Sequence, residues 1–340
     1  MKKSEIIQAI DNVKTVVSIN SKDVTDIDSY LFFINGRLGA FNSGVAISLA
    51  FDVGFDAAVP AVEFMNFIKK IPYDEFDLEL GNNEITVNIK NINAGFRTVD
   101  IISEIPELGV DKVEKWIKVP VEFNEALQFC YFSIDDDISS GVIACAYVYP
   151  GGIVGTDNLR MTEYFFRRRA VSEFSFYIPK KTVKSISSFE CQSVGFSEGW
   201  THIETKNGAV ISVRKVDGDY PEYSSIFDVE KIGELLLPQN ISDVMERASV
   251  IDSEAVKGMK EVMISANKGE IVCRSEGVKG WVEEKLSCEY DGDDISFSTN
   301  PDFFTEIVKF SHNIIIGNGR ILVKGQNFRH VAALAVSNKE

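Results

Sequence analysis

Apolar positions along this chain alternate between two periods. Three runs with apolar residues spaced three and four apart, SEIIQAIDNVKTVV, VEFNEALQFCYFSI and NISDVMERASVI, predict amphipathic helices. Each is followed by alternating apolar and polar runs that predict strand hairpins, turning at Asn35-Gly36, at Pro150-Gly151-Gly152 and at Asn267-Lys268-Gly269. A second helix then opens on a proline in each case: Val59-Pro60-Ala61 before EFMNFIKKI, Ile178-Pro179-Lys180 before KTVKSISSF, and Asn300-Pro301-Asp302 before FFTEIVKF. Proline suits a helix start because its missing N–H would have no partner there. Behind these helices come further hairpin patterns, FDLEL-GNN-EITVNI, SVGF-SEG-WTHIET and NIIIG-NG-RILVKG.

The order helix, strands, helix, strands therefore occurs three times, with Pro60 and Pro179 119 positions apart and Pro179 and Pro301 122 apart. This predicts an α+β chain of three tandem domains, 1–115, 116–225 and 226–340, each with two helices packed on antiparallel sheets. With 340 residues, each third can bury its own core.

Composition adds limits. The chain is 45% hydrophobic and 25% charged, as in globular proteins. No apolar run approaches the roughly 20 residues that span a bilayer, and MKKSEIIQAIDNV lacks the apolar centre of a secretory signal, so a cytoplasmic protein without a membrane partner is expected. Five scattered cysteines, Cys130, Cys145, Cys191, Cys273 and Cys288, never occur as C-x-x-C and read as thiols within the fold. The net charge of −16 is spread over the thirds as −7, −3 and −6, so none is a basic module.

Catalytic patterns are few. Gly195-Phe196-Ser197-Glu198-Gly199 matches G-x-S-x-G, the pattern of a hydrolase nucleophile, but a nucleophile elbow runs from strand into helix and this match is followed by the strand pattern WTHIET. A multidomain hydrolase using Ser197 is the rival reading. His202, His312 and His330 show no metal spacing, no phosphate-binding loop occurs, and no metal or other cofactor is expected. Arg167, Arg168 and Arg169, on a strand, would point alternately to opposite faces. Asp135, Asp136 and Asp137 read as a solvated loop, because adjacent carboxylates seldom converge on one ion.

Four stretches resemble the bacterial DNA polymerase III beta subunit, the DNA sliding clamp family. Val154-Gly155-Thr156-Asp157-Asn158-Leu159-Arg160-Met161 resembles the family's V-A-T-D-x-x-R-L strand and turn, and Val216-Asp217-Gly218-Asp219-Tyr220-Pro221-Glu222-Tyr223 its D-G-x-[FY]-P-x-Y linker. Glu246 to Glu254 resembles the end of the first helix of the third domain, and Val59-Pro60-Ala61 with the KKIP ending at Pro72 the second helix of the first. With the repeat, the likeness covers nearly the whole chain and thins over residues 1–50. The divergent first domain and tail leave room for a bacteriophage member.

The resemblance implies a non-enzymatic processivity factor, a head-to-tail homodimer whose six domains form a ring around duplex DNA and tether the replicative polymerase, with a clamp loader as a further partner. It implies a dimer interface between Val250 and Ile251 of one protomer and Ile105 and Leu108 of the other. It places Lys14, Lys69, Lys70, Lys180, Lys181, Lys184, Arg247 and Lys309 on DNA-facing helices, near neutral within an acidic chain and suited to weak phosphate contacts. A partner peptide would dock between the second and third domains on Val142, Thr156, Asn158, Leu159, Arg160, Met161, Pro221, Ile226, Val331 and Leu334. Three departures stand out. Val62 and Glu63 replace basic residues, the Asp135 to Asp137 loop lacks DNA-contacting cations, and the tail ends HVAALAV then SNKE without the usual proline. With Leu159 also unusual, a dedicated polymerase or loader peptide is expected.

Overall fold

All three prolines stand where a helix begins. In the computed structural model, which describes residues 1–18, 26–42, 44–99, 108–168, 174–251 and 260–334, the helices are α1 (Lys3–Val13), α2 (Ala61–Lys70), α3 (Phe123–Cys130), α4 (Lys180–Ser187), α5 (Ile241–Ser249) and α6 (Pro301–Val308). Pro60 and Pro179 immediately precede α2 and α4, whereas Pro301 is the first residue of α6. There the Asn300 side chain accepts from the backbone N–H groups of Asp302 and Phe303 at 3.0 and 3.1 Å, satisfying donors that the helix leaves open. The first helix of each repeat is shorter than its apolar pattern predicts. After α1 and α3 the chain tightens into three-residue 3-10 turns at Lys14–Val16 and Tyr131–Ser133. Val121 stays outside α3, fully exposed.

The chain divides into two compact units, one of residues 1–125 with 170–216, the other of 126–169 with 217–340. They cut across the sequence repeats because sheets continue from one repeat into the next. In the first unit, eight antiparallel strands lie in the order Ala57–Pro60, Tyr30–Ile34, Arg37–Asn42, Val45–Ala50, Val210–Arg214, Trp200–Thr205, Cys191–Ser197 and Ile117–Lys118. The seam is Val45–Ala50 against Val210–Arg214, with Ile211 opposite Ile47 and Val213 opposite Val45. In the second unit, seven strands run Cys145–Tyr149, Gly152–Thr156, Arg160–Phe165, Phe328–Ala333, Arg320–Lys324, Asn313–Gly317 and Gly233–Leu236. Its seam pairs Met161 with Val331 and Glu163 with Arg329.

Each unit also holds a smaller sheet. One has the strands Asp77–Leu80, Glu84–Ile89 and Ile92–Arg97; the other has Gly280–Ser287, Glu270–Gly277, Val262–Asn267 and Ile295–Thr299. The hairpin turn at Asn35 and Gly36 takes positive φ at both positions, 52° and 70°, the left-handed pair that matches strand twist.

Helices lay one apolar stripe on the sheets. Ile6, Ile10 and Val13 of α1 and Phe64 and Ile68 of α2 are essentially inaccessible, as are Ile241, Val244 and Met245 of α5 and Phe304 and Ile307 of α6. Cys130, Cys145 and Cys273 are buried and Cys191 and Cys288 half-buried, all as free thiols. Burial pushes the Cys145, Cys191 and Cys273 thiols up to about 12, which keeps them protonated. Gly155, where the resemblance has Ala, sits against the end of α3. A Cβ there would lie 2.7 Å from Ile134 and 2.9 Å from the Cys130 carbonyl oxygen.

Candidate functional site

The turn between the strands Gly152–Thr156 and Arg160–Phe165 closes on itself. The Asp157 carboxylate accepts from the backbone N–H of Leu159 at 3.1 Å and of Arg160 at 2.9 Å, and Thr156 Oγ1 donates to the Arg160 carbonyl at 2.7 Å. Asn158 takes φ 68°, a conformation that asparagine tolerates better than most residues. The consequence is directional: Asn158 and Leu159 project outward, Leu159 with 48% of its surface exposed, while Arg160 turns inward and is 8% exposed.

Arg160 is held on all sides. Nε donates to Asp157 at 2.9 Å, Nη1 donates to Glu306 of α6 at 2.5 Å, and the guanidinium lies 3.9 Å from the centre of the Phe303 ring. Two carboxylates and an aromatic face satisfy a buried cation that would otherwise be costly. Arg160 thereby ties the turn to α6.

Beside the turn, Met161 and Val331 face each other across the seam and form a buried apolar cluster with Phe227 and Leu322, edged by Tyr223, Val229 and Ile315. Ile226 emerges from the short turn Ser224–Phe227 with 36% exposure, its carbonyl accepting from Arg320 at 3.0 Å. Pro221 is exposed on the preceding linker, and Val142 packs beneath Gly218 of that linker. Leu334 is partly buried against the core shared by α5 and α6. Ten residues scattered from 142 to 334 in the sequence thus all fall in the second unit. Met161, Val331 and the Phe227 turn make a contiguous apolar floor, with Leu159 and Ile226 exposed on neighbouring turns.

Residues that sequence reasoning missed hold this floor in place. Glu163, only 2% exposed, accepts from Tyr149 Oη at 2.6 Å, Tyr223 Oη at 3.0 Å and Arg329 Nε at 2.6 Å. Burial, with Glu163 beside them, pushes both tyrosine hydroxyls well above their ordinary range, so both remain donors. The Arg329 guanidinium in turn covers the Phe227 ring at 4.0 Å. Behind them, Thr162 Oγ1 hydrogen-bonds to Ser133 at 2.6 Å and to His330 Nδ1 at 2.8 Å.

Elsewhere, Lys14, Lys69, Lys70, Lys180, Lys181 and Lys184 all belong to the first unit and Arg247 and Lys309 to the second. Lys14 pairs with Asp11 at 2.7 Å, and Arg247 grips Glu284 with two hydrogen bonds of 2.9 and 2.7 Å. Val250 caps α5 with 66% exposure and Ile251 is half-buried beside it. Leu108 rests against the cluster of Tyr30, Phe32, Phe41 and Trp200, next to a cavity of about 690 Å³ in the first unit. Ile105 and Arg169 lie outside the described residues. Arg167 and Arg168 follow the end of the strand Arg160–Phe165 in a bend instead of continuing along it. Asp135 and Asp137 accept backbone N–H groups of their own loop, at 3.1 and 2.9 Å.

Ser197 ends one strand and turns directly into the next, with no helix behind it. Its Oγ lies 2.7 Å from His202 Nε2, and His202 Nδ1 lies 2.8 Å from Ser212 Oγ. The Ser197 hydroxyl also lies 3.0 Å from the Leu108 carbonyl, an acceptor that competes with the histidine for its one proton. Burial, with Lys215 nearby, also holds His202 down to about 4. The network links three neighbouring strands of the sheet, and Ser197 lacks the strand-to-helix turn of a nucleophile elbow. Among the described residues no cluster could hold a metal ion, and no helix is long and apolar enough to cross a membrane.

No family model matches the chain. Two curated proteins do: the beta sliding clamp of Chlamydia trachomatis, 25% identical over 175 residues covering 49% of this chain and 41% of that protein, and the beta sliding clamp of Chlamydia muridarum, also 25% identical, with 49% and 47% covered. The matches span less than half the length of these relatives. Solved structures align nearly end to end. The beta subunit of Streptococcus pyogenes DNA polymerase superposes with a TM-score of 0.83 at 17% identity over 98% of both chains. The Caulobacter crescentus pol III beta structure gives 0.83 at 16% over 99% of both, and the Bacillus subtilis DNA polymerase sliding clamp 0.81 at 15% over 99% and 98%. The structural neighbours are bacterial DNA polymerase III beta subunits, and the α+β arrangement found here is the sliding-clamp fold.

Proposed function

We propose that this chain is a DNA sliding clamp, a processivity factor that catalyses no reaction. Three clamp domains, residues 1–115, 116–225 and 226–340, would make half of a six-domain ring that two protomers close around duplex DNA. The observation that carries this reading is the end-to-end likeness of the whole chain to clamp structures, with the apolar floor of Met161, Val331 and Phe227 in second place.

Tethering would work by peptide docking. An extended apolar segment of a polymerase or loader would lie over Met161 and Val331 between Leu159 and Ile226, with Thr156, Asn158, Pro221, Val142 and Leu334 shaping the surround. Arg160 would act by fixing the turn that presents Leu159. The network around Glu163 would keep the floor rigid, so that docking costs little reordering.

Head-to-tail closure needs two different surfaces on each protomer. The three-stranded sheet of the first unit ends on the strands Asp77–Leu80 and Ile92–Arg97, and the four-stranded sheet of the second ends on Gly280–Ser287. Open strand edges such as these favour pairing with a further strand. Trp281 on the latter edge is 62% exposed, as Val250 is on α5. Packing of Val250 and Ile251 against Leu108 and Ile105 would join these faces. A cytoplasmic site of action follows from this role.

The test is retention on DNA. Purified protein loaded on nicked circular DNA should stay bound in high salt and be released when the circle is cut, and light scattering should give twice 37.9 kDa. Release that does not depend on cutting would reject the ring. Val250→Arg should shift the mass toward the monomer.

A further inference from the structure

The helices of the two units carry opposite charge. α1, α2 and α4, all in the first unit, hold six lysines against Glu5, Asp11 and Glu63, a net of +3. α5 and α6 in the second hold Arg247 against Asp243, Glu246, Asp302 and Glu306, a net of −3. Glu306 is taken up by Arg160 and Asp302 lies 3.3 Å from Lys260, while Asp243 and Glu246 of α5 are exposed. Arg247 is already held by Glu284 through two hydrogen bonds, which leaves Lys309, the residue that caps α6, as the exposed cation at the end of that pair of helices.

Local helix energetics sharpen the contrast. α5 and α6 place Asp243 and Asp302 in their first turns, where the positive end of the helix dipole welcomes an acid. α4 does the reverse, opening on Lys180 and Lys181 and carrying no acid at all. Two cations at that end oppose the dipole, so α4 gives up some helix stability for its charge. Its buried face is Thr182, Val183 and Ile186, which leaves Lys181 and Lys184 on the exposed side.

We infer that duplex DNA is contacted chiefly by the first unit, through the lysine face of α4 with the last turn of α2, while α5 and α6 hold no phosphate. This rests on the clamp reading and deepens it, by assigning the phosphate contacts to the helices of one unit. Phosphate contacts through a few flexible lysines are weak and indifferent to sequence, which suits sliding.

The full-length protein should be titrated into a fluorescent 20-base-pair duplex, too short to be trapped topologically, across a salt series. We expect Lys70→Ala/Lys181→Ala/Lys184→Ala to weaken binding about tenfold or more and to lower the slope of log affinity against log salt by about 2 to 3. Lysine-to-arginine changes at the same three positions should restore both. Asp243→Asn/Glu246→Gln should tighten binding. If the triple alanine variant binds within about twofold of the parent, or if Arg247→Ala weakens binding as much as it does, the inference is overturned. Retention on nicked circles is scored separately: a circle released only by cutting, with an unaffected triple variant, removes the inference and leaves the clamp; loss of circle retention removes the clamp itself.

Discussion

Both units are built around the same kind of seam, a strand of one repeat hydrogen-bonded to a strand of the next, yet the seams are chemically unlike. In the first unit Val45–Ala50 meets Val210–Arg214 through apolar and small residues, with Ser48 and Ser212 its polar members, and Ser212 turns to His202 on the next strand. In the second, Arg160–Phe165 meets Phe328–Ala333 through Glu163, Arg329, Thr162 and His330, and its apolar part opens into the Met161 floor. One seam mainly joins; the other also organises a surface. The same backbone device thus leaves side chains at liberty to build a buried ionic network beside an apolar cluster in one place and a plain junction in the other.

The comparison is broken most easily at its polar centre. Glu163→Ala leaves Arg329 and two tyrosine hydroxyls facing a gap, and should cost about 3 kcal/mol or more of stability. Ser212→Ala, at the other seam, removes one hydrogen bond and should cost about 1 kcal/mol. Chemical denaturation of both variants measures this, and equal losses would show that the seams are energetically alike. Acid comes next. Burial, with Lys215 near, holds His202 to about 4, and burial, with Arg160 near, holds His330 to about 3. Both folded values lie below the unfolded value of about 6.5, so the unfolded chain takes up protons first. Stability present above about pH 6.5 is lost as pH falls, levelling near 4 for His202 and near 3 for His330, on the order of 1 to 2 kcal/mol each by pH 5. Denaturation midpoints between pH 7 and pH 3.5 should decline, and His202→Asn should remove the first unit's share. The smallest effects on folding belong to exposed side chains. Leu159→Ala and Ile226→Ala should change stability by under about 0.5 kcal/mol. Each should nevertheless weaken an apolar partner peptide by about 1 to 2 kcal/mol in calorimetry. An unchanged affinity would move the docking site away from the Met161 floor.

Much of this architecture is legible in the sequence because its signals are local. Pro60, Pro179 and Pro301 mark helix starts, Asn35-Gly36 marks a hairpin, and the near-constant spacing gives the repeat. The turn beside the Met161 cluster and the linker that reaches Tyr223 were legible through the Thr156 to Met161 and Asp217 to Tyr223 motifs. Seams were not, because pairing of strands more than 160 positions apart depends on tertiary register, which no local pattern encodes. Arg160 looks like a surface cation and Glu163 like the polar member of an alternating strand. Each is buried because its partners, Glu306 for one and Tyr149, Tyr223 and Arg329 for the other, come from elsewhere in the chain. A charged residue is read as exposed unless its partner is visible, and these partners are distant.

The second seam also sets a schedule for biosynthesis. Thr162 cannot meet His330, nor Met161 meet Val331, until the strand Phe328–Ala333 has left the ribosome, and Thr162 precedes His330 by 168 positions. At ordinary translation speeds of about 5 to 20 residues per second, the middle of the chain waits roughly 10 to 30 s with one strand edge unpaired. A nascent chain broken off before the last strand would lack the floor altogether. Until that strand emerges the waiting edge is open to pairing with other chains, and it is where a chaperone that holds unfolded segments would be most useful.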